Sequence, residues 1–249
     1  MGQQTRIHVT FPVLNEEDQL AASVERTIAF CKAKAMTDCE FCIADNGSTD
    51  RTEEIGRALA ERHANVSYLR LGVRGFGLAL KSAWAQTGAD FVGYMDIDLA
   101  TDLRHFKEVY DHVKRDAGYQ LYLGSRLKAG ASVSKRTVLR GFTSRVFNGL
   151  LRLRVGVSFS DAMCGFKFID RNLYNALIAR FEFTDDWFFA TQLAARAEWL
   201  GARVLDMPVT WTDQPDSHSS ARLVNLSLLY LSGISQLRRE MRQLRQPKH

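Results

Sequence analysis

The chain has 249 residues, 46% hydrophobic and 24% charged, which suits one large α/β domain with a sizeable core. Its net charge is +5 and its pI about 9.1, mildly basic. Of the four cysteines, Cys39 and Cys42 form a lone C-x-x-C with no second pair to complete a zinc site, so buried reduced thiols of a cytosolic protein are expected.

The start, MGQQTRIHVTFPVLNEE, has no apolar signal-peptide core, and Arg6 stands where a myristoylation signal needs Ser or Thr. Strand and helix patterns then alternate. IHVTFPV (7–13) is a strand and Glu16–Ala35 has helical spacing. Phe41–Ala44 is a strand, 45–50 a loop and Arg51–His63 a helix. VSYLRL (66–71) is a strand and Phe76–Thr87 a helix. FVGYM (91–95) is a strand, Leu103–Arg115 a helix and YQLYLG (119–124) a strand. Short apolar strands alternating with helices imply a mostly parallel sheet covered on both faces.

The second half is less regular. Arg136–Leu153 reads as an amphipathic helix, with Val138, Leu139, Phe142, Val146, Phe147 and Leu150 on one side and Arg140, Arg145 and Arg152 at its borders. DAMCGFKFI (161–169) is a loop and a strand, Arg171–Arg180 and Asp186–Leu200 are helices, and Val204–Trp211 is a strand. Leu223–Gln236 is a second amphipathic segment. The 15 uncharged residues Leu223–Leu237 span roughly 22 Å as a helix, short of a hydrocarbon core of roughly 30 Å. No transmembrane segment is expected. With no repeat or linker, residues 1–249 read as a single domain: 1–125 a nucleotide-binding half, 126–222 an acceptor half, 223–249 an amphipathic and basic tail.

Charge is unevenly spread. From Ala117 to Ser160 there are eight Lys or Arg and no Asp or Glu. Arg238, Arg239, Arg242, Arg245 and Lys248 close the chain with one acid, Glu240. Such blocks suggest an anionic partner.

Residues 91–99 read FVGYMDIDL, and Asp96-x-Asp98 is the sharpest chemical feature. On an extended strand, side chains two apart share a face. Paired carboxylates repel unless a cation sits between them, and Mg²⁺ or Mn²⁺ commonly bridges such a pair to substrate phosphates. Ligands of parallel sheets bind beyond the C-terminal strand ends. The Asn15-Glu16-Glu17 turn, the 45–50 loop, Asp96-x-Asp98 and Gly124-Ser125-Arg126 all fall there. In Asp45-Asn46-Gly47-Ser48-Thr49-Asp50, Ser48 or Thr49 is suited to cap the next helix, and Asp45 can accept hydrogen bonds from a nucleobase. Gly75-Phe76-Gly77 opens the helix carrying Lys81, and glycines there would let an anion approach a helix N-terminus.

FPVLNEE (11–17), IADNGSTDRT (43–52), RGFGLALKSA (74–83) and MDIDLATD (95–102) together resemble glycosyltransferase family 2, of the GT-A fold. The resemblance spans about residues 7–125 and implies a nucleotide-sugar site. Pro12, Asn15 and Glu16 would border the nucleotide, with Asn46 and Lys81 also there. Asp45 would contact the base, and Asp96 and Asp98 would meet the diphosphate through a metal. Gly124-Ser125-Arg126, Arg140, Ser144 and Asp161 with Cys164-Gly165-Phe166-Lys167 resemble the polyprenyl- or dolichyl-phosphate sugar synthases. There, equivalent arginines and serine hold the lipid phosphate, a task suited to Arg's planar fork. Those relatives carry a late Gly-x-Ser-Lys-like element. Here the matching stretch is Asp216–Arg222, with Arg222 in place of the lysine and no glycine. Leu99-Ala100-Thr101 after Asp98 is similar to the glucosyl-type pattern more than the mannosyl one.

The reaction implied is inverting transfer of a hexose from a nucleotide sugar, of GDP-mannose or UDP-glucose type, to a polyprenyl or dolichyl phosphate. Asp98, Arg126 and Asp186 are the candidate catalytic residues. Asp186 stands either as the base of relatives with hydroxyl acceptors, as a binder of sugar hydroxyls, or as a helix-start carboxylate. A hydroxyl acceptor with Asp186 as base is the rival reading. A nucleotidyltransferase would want a Gly-rich basic loop after the first strand, and a non-catalytic scaffold would not need the acidic pair. Nucleic-acid binding is not expected, because aromatics are not interleaved with the basic residues. The expected location is peripheral, on the cytoplasmic face of an anionic membrane. Leu223–Gln236 stands equally as a membrane helix or as a core or dimer helix, so a homo-oligomer stays open.

Overall fold

The computed structural model describes residues 5–135, 137–212 and 220–245, leaving aside the side chains of 138–140, 220–231 and 245. Strands β1 (Ile7–Val13), β2 (Cys39–Asp45), β3 (Val66–Arg70) and β4 (Phe91–Met95) alternate with helices α1 (Leu20–Ala33), α2 (Thr52–Arg62) and α3 (Phe76–Ala85). α4 (Arg104–Lys114), β5 (Leu121–Ser125), β6 (Ser132–Ser134), α5 (Val138–Val155) and β7 (Phe166–Asp170) follow. α6 (Arg171–Arg180), α7 (Phe189–Trp199), β8 (Val204–Pro208), β9 (Thr210–Thr212) and α8 (Ser220–Arg245) complete the chain.

Seven strands form one sheet in the order β3-β2-β1-β4-β7-β5-β8, and β6 pairs with β9 beside it. All neighbours in the large sheet are parallel except β7, which runs antiparallel between β4 and β5. β1 lies inside the sheet and is almost wholly buried, its polar His8 and Thr10 included. One face packs Phe11, Phe41 and Phe168 against α1 and α4. On α4 the buried set His105, Phe106, Val109, Tyr110 and Val113 follows helical spacing. The other face packs Val92, Tyr94, Leu121 and Leu123 against Leu80, Leu151, Leu177, Leu193 and Leu237 of five helices. All four cysteines are buried and free, as expected.

Three local expectations change. Ser48 and Thr49 do not cap α2: Asp50 Oδ1 accepts from Thr52 N (3.0 Å) and Glu17 Oε2 from Arg51 N (2.9 Å). The N-terminus of α3 is closed to anions, because the Gly77 and Leu78 amides donate to Asp185 O at 2.8 and 3.3 Å. Its glycines are packing glycines: a Cβ on Gly75 would lie 2.7 Å from Asp185 O, and one on Gly77 2.6 Å from Phe189 Cβ. From Gly233 onward α8 is a packed helix, with Ile234, Leu237 and Met241 buried. A Cβ on Gly233 would meet the Phe188 ring at 2.3 Å. Arg196, 1% exposed, grips Glu240 at 2.8–3.1 Å. No helix among the described residues is long and apolar enough to cross a membrane.

Candidate active site

The C-terminal ends of β1, β2, β4 and β5 meet on one edge of the sheet, where antiparallel β7 begins. β4 stops at Met95, so the acidic pair does not sit on alternating strand positions. It rides a turn: Leu99 N donates to Asp96 O (3.1 Å), Leu99 takes φ +50°, and Asp98 Oδ1 accepts from Ala100 N (2.9 Å). A left-handed leucine costs about 1 kcal/mol or more, and it turns the chain away directly after the acidic pair.

The start of β7 supports Asp96 from beside. Asp96 N donates to Gly165 O (3.0 Å), and a Cβ on Gly165 would fall 1.7 Å from Asp96 Oδ2. Only glycine leaves room for that carboxylate. Burial, and then the charge of Asp98, push the Asp96 carboxyl well above the usual carboxylate range, with Glu16 adding to the rise and Lys167 and Arg126 opposing it. Burial likewise raises Glu16, helped by Asp98 and Asp50 against the hydrogen bond from Gln19. Asp98 and Glu16 thus lie close enough to Asp96 to raise its pKa. Among the described residues no three His, Cys, Asp or Glu converge as a cage. Two neighbouring carboxylates fit a hard divalent ion whose shell is completed by substrate phosphates.

The residues expected to border a nucleotide tie two loops together. Asn15, at φ +57°, donates its amide to Ser48 Oγ (2.9 Å) and accepts from Thr49 N through Oδ1 (2.8 Å). Glu16 N donates to Thr52 Oγ1 (2.8 Å). Asn46 N donates to Val13 O (2.8 Å), and its Oδ1 accepts from Gly75 N (2.6 Å). Pro12, half-buried, precedes the last residue of β1. Asp45 is fully buried: Oδ1 accepts from Ser48 N (2.8 Å), and Oδ2 from Tyr68 Oη (2.5 Å) and Arg70 Nη1 (3.1 Å). Lys81 pairs with Asp185 (2.6 Å), which ties α3 to the loop before α7.

Among the residues expected at an acceptor, Arg126 gives Nε and Nη2 to Asp161 at 2.8 and 3.1 Å and lies over the Trp211 ring (5.4 Å). Burial alone would raise Asp161, but the Arg126 charge and hydrogen bonds, with Lys167, hold it down at about 2. Ser144 faces inward, its Oγ buried with no partner among the described residues. The side chains of Arg140 and Arg222 lie outside the described residues, as does the 213–219 loop. Asp186 caps a turn: Oδ1 accepts from Phe188 N (2.7 Å) and Thr184 Oγ1 (2.9 Å).

Sequence reasoning gave Gly165 and Lys167 no individual task. Lys167, 1% exposed, donates to Cys164 O (2.5 Å) and Tyr94 Oη (3.2 Å), and burial lowers its pKa. A lysine between two phenylalanines in a central strand was the available signal, since such a residue is rarely buried without partners.

The sequence matches the family described as Glycosyl transferase family 2 over residues 9–178. The chain belongs to that family. It is 35% identical over 216 residues to Glycosyltransferase AglD of Haloferax volcanii, covering 85% of this chain and 34% of that protein. It is 26% identical over 215 residues to Dolichyl-phosphate beta-glucosyltransferase ALG5A of Trichomonas vaginalis, covering 83% of this chain and 66% of that one. The chain thus spans about a third of the first relative and just under two thirds of the second. Mannosyl-3-phosphoglycerate synthase from Rubrobacter xylanophilus superposes with a TM-score of 0.70 at 17% identity, over 98% of this chain and 77% of that one. Glucosyl-3-phosphoglycerate synthase from Mycobacterium tuberculosis, in complex with Mn²⁺, UDP and phosphoglyceric acid, superposes at 0.67 with 19% identity, over 94% and 78%. Both likenesses are of fold, and they bear out the GT-A expectation.

Proposed function

We propose that the chain is an inverting glycosyltransferase that moves a hexose from a nucleotide sugar to a polyprenyl or dolichyl phosphate. The observation that carries the reading is the Asp96–Asp98 turn at the sheet's C-terminal edge, with a glycine pressed against Asp96. The names of the relatives support the acceptor: ALG5A is a dolichyl-phosphate glucosyltransferase, and an Edwardsiella ictaluri relative, 26% identical, is an undecaprenyl-phosphate transferase.

In this reading Asp96 and Asp98 hold Mg²⁺ or Mn²⁺, which when bound neutralises charge on the leaving diphosphate. The phosphate oxygen of the lipid attacks the anomeric carbon as the bond to the nucleotide diphosphate breaks on the opposite face, inverting that carbon. A phosphate monoester is largely a dianion at pH 7, so no general base is required. Asn15, Asn46 and Glu16 brace the loops around the donor, with Pro12, Asp45 and Lys81 nearby. Arg126, Arg140, Ser144 and Arg222 form the acceptor side, Arg126 oriented by Asp161. Asp186 spends Oδ1 on a turn, and Asp186 as the base of a hydroxyl acceptor is the rival reading. We further infer that the enzyme works peripherally at a membrane surface, on its cytoplasmic face.

The test is to incubate the protein with Mg²⁺ or Mn²⁺, a short polyprenyl phosphate and a panel of labelled UDP- and GDP-sugars. Organic-soluble label is expected, lost with Asp98→Ala and with excess EDTA. Turnover that persists in EDTA removes the metal role, and label that never enters the organic phase removes the acceptor.

A further inference from the structure

α5 carries two apolar faces. Ser144, Phe147, Asn148, Leu151 and Val155 are buried, and Asn148 Oδ1 accepts from Ala162 N (2.8 Å), beside Asp161. Successive helical residues turn by about 100°, which puts Phe142, Val146 and Leu153 together on the side opposite that set. They are 63%, 44% and 79% exposed. A helix packed on a domain ordinarily presents polar residues outward, and three large apolar ones along a single stripe are not scattered exposure. Arg145 and Arg152 run beside the ridge and Arg154 lies on its other flank, all exposed. No Asp or Glu occurs between Ala117 and Ser160 to oppose them.

We infer that the outer face of α5 is the surface by which this protein seats on an anionic lipid bilayer, Phe142, Val146 and Leu153 entering the interface and Arg145, Arg152 and Arg154 meeting headgroup phosphates. The charge pattern selects this occupant. An apolar ridge bordered by cations on a helix that carries no acid complements an anionic leaflet, whereas the same ridge on a second copy would set arginines against arginines. The proposal deepens the lipid-phosphate reading and rests on it for purpose, because α5 packs inwardly on the loop that carries Asp161.

The experiment uses the full chain and sedimentation with vesicles of phosphatidylcholine alone or with roughly one third phosphatidylglycerol, in low and high salt. Wild type is expected to bind the anionic vesicles and to release in salt. The exposed double variant Phe142→Ser/Leu153→Ser should fold with an unchanged melt and lose about tenfold or more in partitioning. Arg145→Gln/Arg152→Gln should lower binding to anionic vesicles alone. Undiminished binding by the double variant overturns the proposal, as does a wild type that ignores anionic vesicles. A wild-type dimer in analytical ultracentrifugation that the double variant abolishes also overturns it, in favour of a second copy. Transfer to a short prenyl phosphate in detergent separates the two readings. Retained transfer without vesicle binding sinks the docking surface alone, and ridge-dependent vesicle binding without any transfer sinks only the acceptor assignment.

Discussion

Gly165→Ala tests how Asp96 is held. The added Cβ would sit 1.7 Å from Asp96 Oδ2 and 2.1 Å from its Cγ. Non-bonded heavy atoms settle near 3.5 Å, so the carboxylate must retreat by roughly 2 Å or the β7 entry must lift. The entry is pinned, since Asp96 N bonds Gly165 O at 3.0 Å and Met95 pairs in register with Phe166. The side chain therefore moves. A displacement of about 1 Å at a reacting site costs about 10²-fold, and kcat/KM should fall by at least that. Overpacking costs about 1–3 kcal/mol, so the protein should still fold. Gly149→Ala is the control: it lies in α5 with open space around a new Cβ, and should stabilise the protein by about 0.5–1 kcal/mol with activity intact. Initial rates, Mn²⁺ affinity by electron paramagnetic resonance and urea unfolding measure the three quantities. A folded Gly165→Ala protein with wild-type kcat/KM and wild-type Mn²⁺ affinity would refute the close-approach argument.

Asp161→Asn strands the buried Arg126 guanidinium and should cost about 3–5 kcal/mol in urea unfolding. A loss below about 1 kcal/mol would mean that water or another acid takes over. The same pair sets an acid limit. Asp161 drops from its ordinary 3.8 to about 2 on folding. Its contribution, about 2 kcal/mol, is complete above pH 4 and disappears as pH falls through about 2. Asp161→Asn should flatten that part of the stability profile, and an unchanged slope would show that other carboxylates control it. Glu240→Gln removes the charge facing buried Arg196 and should cost about 3 kcal/mol, with faster amide exchange confined at first to 233–241. Exchange rising evenly across the sheet would deny that this contact anchors α8.

The alternation of strands and amphipathic helices was legible because parallel strands buried on both faces are dominated by apolar residues, as β1 and β4 are. The gathering of candidate residues at one edge followed from parallelism itself. The antiparallel insertion of β7 was not legible, since Phe166–Ile169 has the same apolar character whichever way it runs. That insertion brings Gly165 onto Asp96 and Lys167 beneath it, across some seventy positions of sequence. Likewise the Asp-x-Asp spacing announces a carboxylate pair under either backbone, strand or turn. That the pair rides a turn closed by Leu99 N on Asp96 O, with Leu99 left-handed, is something composition does not announce.

By itself the sequence determined the class of fold and the edge where the candidate residues gather, because these depend on local periodicity and residue type. Tertiary structure alone decided which groups are already engaged. Arg126 is held by Asp161, Lys81 by Asp185 and Asp45 by Tyr68 and Arg70. It also turned three apolar residues of α5 away from the core. Pairing and exposure depend on which distant segments meet, and no local pattern encodes that.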